Sequence, residues 1–389
     1  MGWTRYKIGD ILTLEYGKPL DKAIRKEDGL YPAYGANGVK CRSDEYYFDK
    51  PTIIVGRKGS AGELTLTEEK FWPLDVTYYI EFDHSKFDLT FLYHLLSLLN
   101  LPSYATGVKP GINRNIIYSI DVDIPSPPEQ KRIVAILDQA FADIDKARAL
   151  TEQNLKNVRE LFESYLQQVF SQRKEGWVAE PMASHFTIKH GYAFKGEDFT
   201  TDFSGSSPVV LTPGNYQENG NLYFTEKNTK RCNTDFPSEF KFTKGDLTIV
   251  MTDLSSHMKI LGRPAFILDD NTLHNQRIGK FEYLSDDVMP ELLYWFLLTG
   301  FSIEKIKATA TGTMVRHTAP KRILENTIFY PKSKVTQKEI CDKLSEVRNK
   351  SEDAYGFYLR KLELLDELKK SLLQKAFSGE LTKESEAAA

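Results

Sequence analysis

Most of the side chains best suited to chemistry sit in three short loops that set polar and basic residues beside glycine. They are Gly56-Arg57-Lys58-Gly59-Ser60-Ala61-Gly62, Thr106-Gly107-Val108-Lys109-Pro110-Gly111-Ile112-Asn113-Arg114 and Thr311-Gly312-Thr313-Met314-Val315-Arg316-His317. Arginine and asparagine can make paired hydrogen bonds to guanine and adenine edges. Lysine and the backbone N–H groups of glycine turns suit phosphates. The candidate DNA contacts are therefore Arg57, Lys58, Ser60, Thr106, Lys109, Asn113 and Arg114 in the first half, and Lys259, Thr311, Thr313, Arg316 and His317 in the second. The plain alternative for each is a solvated turn. The glycine spacing at 56, 59 and 62 is not a nucleotide-binding fingerprint.

Bond-making chemistry lacks its usual signatures. The chain has no G-x-x-x-x-G-K-[ST] phosphate loop, no H-E-x-x-H metal pair and no G-x-S-x-G elbow. No Asn-Pro-Pro or Asp-Pro-Pro run of the amino-methyltransferase kind occurs, and Pro127-Pro128 follows Ser126. Asp49 followed by Glu68-Glu69-Lys70 is a loose nuclease-like triple of a sort that arises by chance. The seven histidines are scattered. Cys41, Cys232 and Cys341 have neither metal-ligand spacing nor a disulfide pattern, which fits a reducing cytoplasm. The start, Met1 to Asp10, lacks an apolar leader, no run of about 18 apolar residues suggests a membrane span, and Glu384 to Ala389 read as a frayed tail. A net charge of −3 argues against binding nucleic acid by overall charge. Basic groups would have to gather on one face, or partners would have to supply them.

What positions these loops is a repeat. Ser164-Tyr-Leu-Gln-Gln-Val-Phe-Ser171 aligns with Ser371-Leu-Leu-Gln-Lys-Ala-Phe-Ser378, and the same offset pairs Gln130 with Gln337, Leu137 with Leu344 and Leu161 with Leu368. Ala105-Thr106-Gly107 matches Ala310-Thr311-Gly312, and Gly2-Trp3 matches Gly176-Trp177 at a smaller offset. The second half thus carries an insertion of roughly 30 residues. Each half is a globular block followed by a long helix.

The first helix should begin after Pro127-Pro128, since proline suits a helix's first turn. Val134, Leu137, Phe141, Ile144, Leu155, Val158, Phe162, Tyr165 and Val169 follow three- and four-residue steps, interrupted by Arg148 and Thr151. In the second helix, from about Thr336 to Phe377, the stripe includes Ile340, Leu344, Val347, Ala354, Tyr358, Leu362, Leu365, Leu368 and Leu372, with Gly356 a weak point. Rods of roughly 60 Å outrun a small domain, so the two should pair with each other, antiparallel if the repeat forms a pseudo-dyad. Seam or partner contacts fall on Leu137, Phe141, Ile144, Val158, Phe162, Tyr165, Leu344, Val347, Tyr358, Leu365 and Leu372.

The expected fold is α/β (α+β): two globular recognition domains, residues 1–125 and 176–331, separated by a long antiparallel two-helix coiled coil built from 126–175 and 332–380, with an internal pseudo-two-fold repeat. In the blocks, Pro51–Gly56 and Val76–Phe82 read as strands and Leu89–Leu99 as a helix. Leu247–Met251, Arg277–Tyr283 and Pro290–Leu298 echo them.

Ile124-Pro-Ser-Pro-Pro-Glu-Gln-Lys-Arg-Ile-Val-Ala-Ile-Leu-Asp138 resembles the junction after the first recognition domain in specificity subunits of type I restriction-modification systems. Ser371-Leu-Leu-Gln-Lys-Ala-Phe-Ser-Gly-Glu-Leu381 is similar to the end of their second conserved helix. The likeness covers essentially the whole chain. The second junction, Tyr330-Pro-Lys-Ser-Lys-Val-Thr-Gln-Lys-Glu339, departs from it by lacking the double proline and the Glu-Gln pair. The resemblance implies a non-catalytic DNA-binding subunit that directs two modification subunits to methylate adenine, and motor-nuclease restriction subunits to cut. S-adenosylmethionine, ATP and magnesium would then belong to the partners, none to this chain. A bipartite double-stranded target with an unread gap follows, capped near 18 base pairs by a 60 Å spacer at about 3.4 Å per pair. The alternatives are a coiled-coil scaffold that reads no DNA, and a nuclease or methyltransferase acting alone.

Overall fold

The computed structural model describes residues 2–172, 175–200 and 207–382. The chain falls into two compact units: Met1–Glu152 with Leu359–Ala389, and Gln153–Tyr358. Among the described residues, no helix is long and apolar enough to cross a membrane.

The first unit begins with strand β1 (Thr4–Lys7), helix α1 (Ile8–Ile11) and strand β2 (Leu12–Tyr16). Strands β3 (Tyr31–Gly35), β4 (Gly38–Ser43), β5 (Thr52–Gly56), β6 (Leu64–Thr67), β7 (Trp72–Pro73) and β8 (Thr77–Phe82) follow. Then come α2 (Leu89–Leu98), α3 (Arg114–Tyr118), β9 (Asp121–Ile124) and the start of the long helix α4 (Pro127–Ser171). Ile53, Ile54 and Val55 are apolar in succession because β5 is buried on both faces, inside the antiparallel sheet β2-β8-β5-β6. A smaller sheet, β4-β3-β7, pairs β3 with β7 in parallel. Strands β1 and β9 pair antiparallel, Thr4 opposite Ile124, just before α4. Helix α2 starts where the Asp88 carboxylate accepts the Phe91 N–H at 3.0 Å. Its Phe91, Leu92, Leu95 and Leu96 pack with Ile133 and Leu137 of α4.

The second unit repeats this plan. Its strands are β10 (Trp177–Pro181), β11 (Phe186–His190), β12 (Phe199–Thr200), β13 (Val209–Leu211), β14 (Arg231–Cys232), β15 (Leu247–Val250), β16 (Thr252–Asp253), β17 (Pro264–Phe266), β18 (Thr272–His274) and β19 (Ile278–Tyr283). Then follow α5 (Pro290–Leu297), α6 (Gly300–Ala308), β20 (Arg316–His317), α7 (Pro320–Leu324), β21 (Thr327–Pro331) and the long helix α8 (Lys334–Phe377). The sheet β11-β19-β15-β17 has the order of β2-β8-β5-β6. Strand β13 pairs β18 in parallel as β3 pairs β7, and β10 pairs β21 as β1 pairs β9. The extra length of this half is not one insertion. Its largest part is the β13–β14 connection, 212–230, where β3–β4 needs only Ala36-Asn37. Several other loops are longer by a few residues.

Each unit contains an antiparallel helix pair. In the first, Arg148 bonds Asp366 and Asp145 pairs with Lys369 at 3.3 Å. Three residues back along α4 is thus three residues forward along α8. Leu137 and Ile144 are buried, Phe141 and Leu372 are half-buried, and Phe377 packs on Phe91 with ring centroids 5.0 Å apart. In the second, Arg159 donates to the Tyr355 hydroxyl at 2.6 Å and stacks on its ring, while Tyr165 lies near Lys343. Leu344 and Cys341 are buried with Leu166 and Phe170; Val158, Phe162, Val347 and Tyr358 are half-buried. Both units take ends of both helices, so neither helix packs only on its own block. The two interruptions in the α4 stripe have partners: Arg148 reaches Asp366, and the buried Thr151 gives its hydroxyl to the Ala147 carbonyl at 2.6 Å. Leu368 does not belong to the seam, being 46% exposed, because a strict heptad drifts around a straight 3.6-residue helix. Helix α8 runs through Gly356 without a break.

Candidate nucleic-acid interface

In the first unit the two glycine-rich loops come together. The Gly59 N–H donates to the Pro110 carbonyl at 2.8 Å and the Ile112 N–H to the Arg57 carbonyl at 3.0 Å. Thr106 and Gly111 bond each other's backbones at 2.9 and 3.0 Å, closing a hairpin, and Lys58 sits opposite Gly111. Gly62 lets the end of the first loop pack on Leu101-Pro102, just ahead of the second: it has φ +85°, and a Cβ there would lie 2.4 Å from the Pro102 nitrogen. Lys58, Thr106, Lys109 and Asn113 are exposed on the joined surface, and Ser60 is half-buried. The Asn113 side-chain oxygen is engaged, accepting the Asn115 N–H at 2.9 Å to cap α3.

The two arginines are held rather than free. Arg57 lies 5.2 Å and Arg114 4.8 Å from the centre of the Tyr16 ring. Arg57 donates to the Asp75 carbonyl and Arg114 to the Leu14 carbonyl at 3.2 Å. The Arg57 Nε is buried with no hydrogen-bond partner. Each guanidinium therefore keeps only part of its donor fork for a ligand. Tyr16 was invisible as a site residue in the sequence. Its one signal is that β2 alternates Leu12, Leu14, Tyr16 and so places a ring at the end of an otherwise buried face. Other exposed aromatic–lysine pairs also lacked a signal: Lys70 over Tyr46 at 4.5 Å and Lys18 over Tyr47 at 6.0 Å.

The second unit builds the same pairing from different residues. Thr311 and His317 bond each other's backbones at 2.9 and 3.0 Å, and β16 joins β20, Thr252 opposite His317 and Asp253 opposite Arg316. The Thr252 hydroxyl lies 2.9 Å from His317 Nδ1. Gly312 makes the turn possible, with φ +95° and a hypothetical Cβ only 2.0 Å from the Val315 carbonyl oxygen. Thr311, Thr313, His317 and Lys259 are exposed, whereas Arg316 is half-buried with its Nε unpartnered. Lys259 stands on the β16–β17 loop, the counterpart of the loop bearing Lys58. Asp253 is buried and shapes that loop by accepting the Ser255 and Ile260 N–H groups at 2.8 and 3.0 Å. Among the described residues, no three His, Cys, Asp or Glu side chains gather where they could hold a metal ion.

Residues 1–155 match the family model described as the type I restriction modification DNA specificity domain. Among curated proteins, the type I restriction enzyme EcoprrI specificity subunit of Escherichia coli is 22% identical over 40% of this chain, a match spanning 42% of that subunit's length. The type I restriction enzyme MjaVIII specificity subunit of Methanocaldococcus jannaschii is 20% identical over 97% of this chain and 93% of its own. Among solved structures, a chain described under complex assembly and conformational transition of the type I R-M system superposes with a TM-score of 0.74. That match covers 98% of both chains at 15% identity, a likeness of fold.

Proposed function

We infer that this chain is a specificity subunit of the type I restriction-modification kind, which supplies DNA sequence choice and makes or breaks no bond itself. The observation that carries the finer reading is a loop pair built twice. Thr106 faces Gly111 beside Lys58 in one unit, and Thr311 faces His317 beside Thr252 in the other. Equal frames with unequal side chains suit two unequal half-sites. In this reading Lys58, Lys109 and Lys259 meet phosphates. Ser60, Thr106, Asn113, Thr311, Thr313 and His317, with the free edges of Arg57, Arg114 and Arg316, face bases. Adenine methylation falls to two modification subunits using S-adenosylmethionine, and cleavage to restriction subunits using ATP and magnesium.

Selection of duplexes from a randomised library by the full-length chain, with co-purifying partners retained, tests this reading. Two short enriched blocks separated by unselected bases are expected. Recovery without any sequence enrichment would instead favour a coiled-coil scaffold.

A further inference from the structure

We propose that the apolar hairpin tips, Val108 in one unit and Met314 with Val315 in the other, enter a DNA groove, rest on base edges and take part in choosing sequence. The inference rests on the DNA-reading function given above.

Val108 is fully exposed (105%), Met314 is 79% exposed and Val315 48%. One exposed apolar side chain is ordinary on a protein surface. Here the feature recurs at the tip of the equivalent hairpin in both repeats, although the surrounding loop residues differ. Each tip is held out by a closed backbone pairing, Thr106 with Gly111 and Thr311 with His317, so its exposure belongs to the hairpin's build. The sequence to either side of each tip is cationic. No Asp or Glu occurs from Leu89 to Ile120 or from Lys305 to Leu324, in a chain holding 54 such residues. Lys109 follows Val108, and Lys58 faces the hairpin base. Arg316 follows Val315, and Lys305, Lys307, Lys321 and Arg322 lie to either side of the second hairpin along the chain, Lys307 paired with Glu304 at 3.6 Å. An apolar tip with cations beside it along the chain suits a groove: phosphates at the rim, thymine methyl groups and base edges on the floor.

The test compares Val108→Asn, Val108→Thr and Met314→Asn with the unaltered full-length chain, partners retained, in the same library selection and in titrations of the selected duplex. Val108→Asn should change the preferred base at one or two positions of one half-site only. It should weaken binding to the original site about tenfold, the cost of roughly one mismatched pair. Met314→Asn should do the same in the other half-site, and Val108→Thr, which keeps the shape, should fall between. Unchanged preferences in both half-sites overturn the proposal, whether affinity is untouched or uniformly weakened. An unaltered chain that selects no sequence overturns the DNA-reading function itself, a distinct result.

Discussion

Gln130 and Gln337 perform one task at equivalent places in the two repeats. Gln130 is buried; its Oε1 accepts the Asp88 N–H at 2.8 Å, and its Nε2 donates to the Lys86 and Pro125 carbonyls at 3.0 Å. Gln337 is buried; its Oε1 accepts the Met289 N–H at 2.8 Å, and its Nε2 donates to the Asp287 and Pro331 carbonyls at 2.7 and 2.8 Å. Each clamps the first turn of a long helix to the loop that starts the block's apolar helix.

Gln337→Leu should therefore strand one buried N–H and two carbonyls in the second unit. The expected loss is about 2–4 kcal/mol, read as a lower urea midpoint. Gln130→Leu should cost a similar amount in the first unit. A change below about 0.5 kcal/mol would mean that water or backbone relaxation replaces the clamp.

His274 gives the second unit an acid-sensitive core. It is 1% exposed, Nε2–H donates to the Ile278 carbonyl at 2.8 Å, and burial pulls its pKa down to about 4. The native state thus binds this proton more weakly than the unfolded chain does. Its contribution is complete above the free-imidazole value of 6.5, fades as pH falls and is lost on passing through about 4. The loss should approach about 3 kcal/mol, seen as a drop in the urea midpoint of the second unit between pH 7 and 4. A His274→Asn variant should shed that portion of the pH dependence, and an identical profile would refute the assignment.

Gly356 lies inside α8 where an added Cβ would meet nothing within 4 Å. Gly356→Ala should stabilise the helix by up to about 1 kcal/mol, through the smaller backbone entropy of the unfolded chain. Amide exchange around Tyr355 and Tyr358 reports it, and faster exchange in the variant would contradict the open site.

Lys58→Ala and Lys109→Ala should each weaken DNA binding across sequences and lower the slope of log affinity against log salt by about 1. An unaltered slope would remove these lysines from the phosphate contacts.

Much of the fold was legible because it depends on local rules. The run Ile53-Ile54-Val55, the proline pair that opens α4 and the repeat offset led to the strands, the helix start and the two blocks. The second junction looked irregular without its double proline. Yet Gln337 sits at the repeat offset from Gln130 and reproduces the clamp, so the missing prolines leave the hydrogen bonds unchanged. The loops were legible as loops, but their side-chain engagements were not. Arg57 and Arg114 meet on Tyr16 from distant parts of the chain, and a stacking that exists only after the sheet has formed has no pattern along the sequence. Which end of α8 lies against α2 follows from the antiparallel pairing that the repeat suggested, and Phe91 with Phe377 is one contact of that end.

That contact sets a timetable for the newborn chain. The segment after Leu359, which covers Phe91 and its neighbours, leaves the ribosome only after Gln153–Tyr358 has been made. At about 5–20 residues per second the N-terminal block waits roughly ten to forty seconds with that oily flank uncovered.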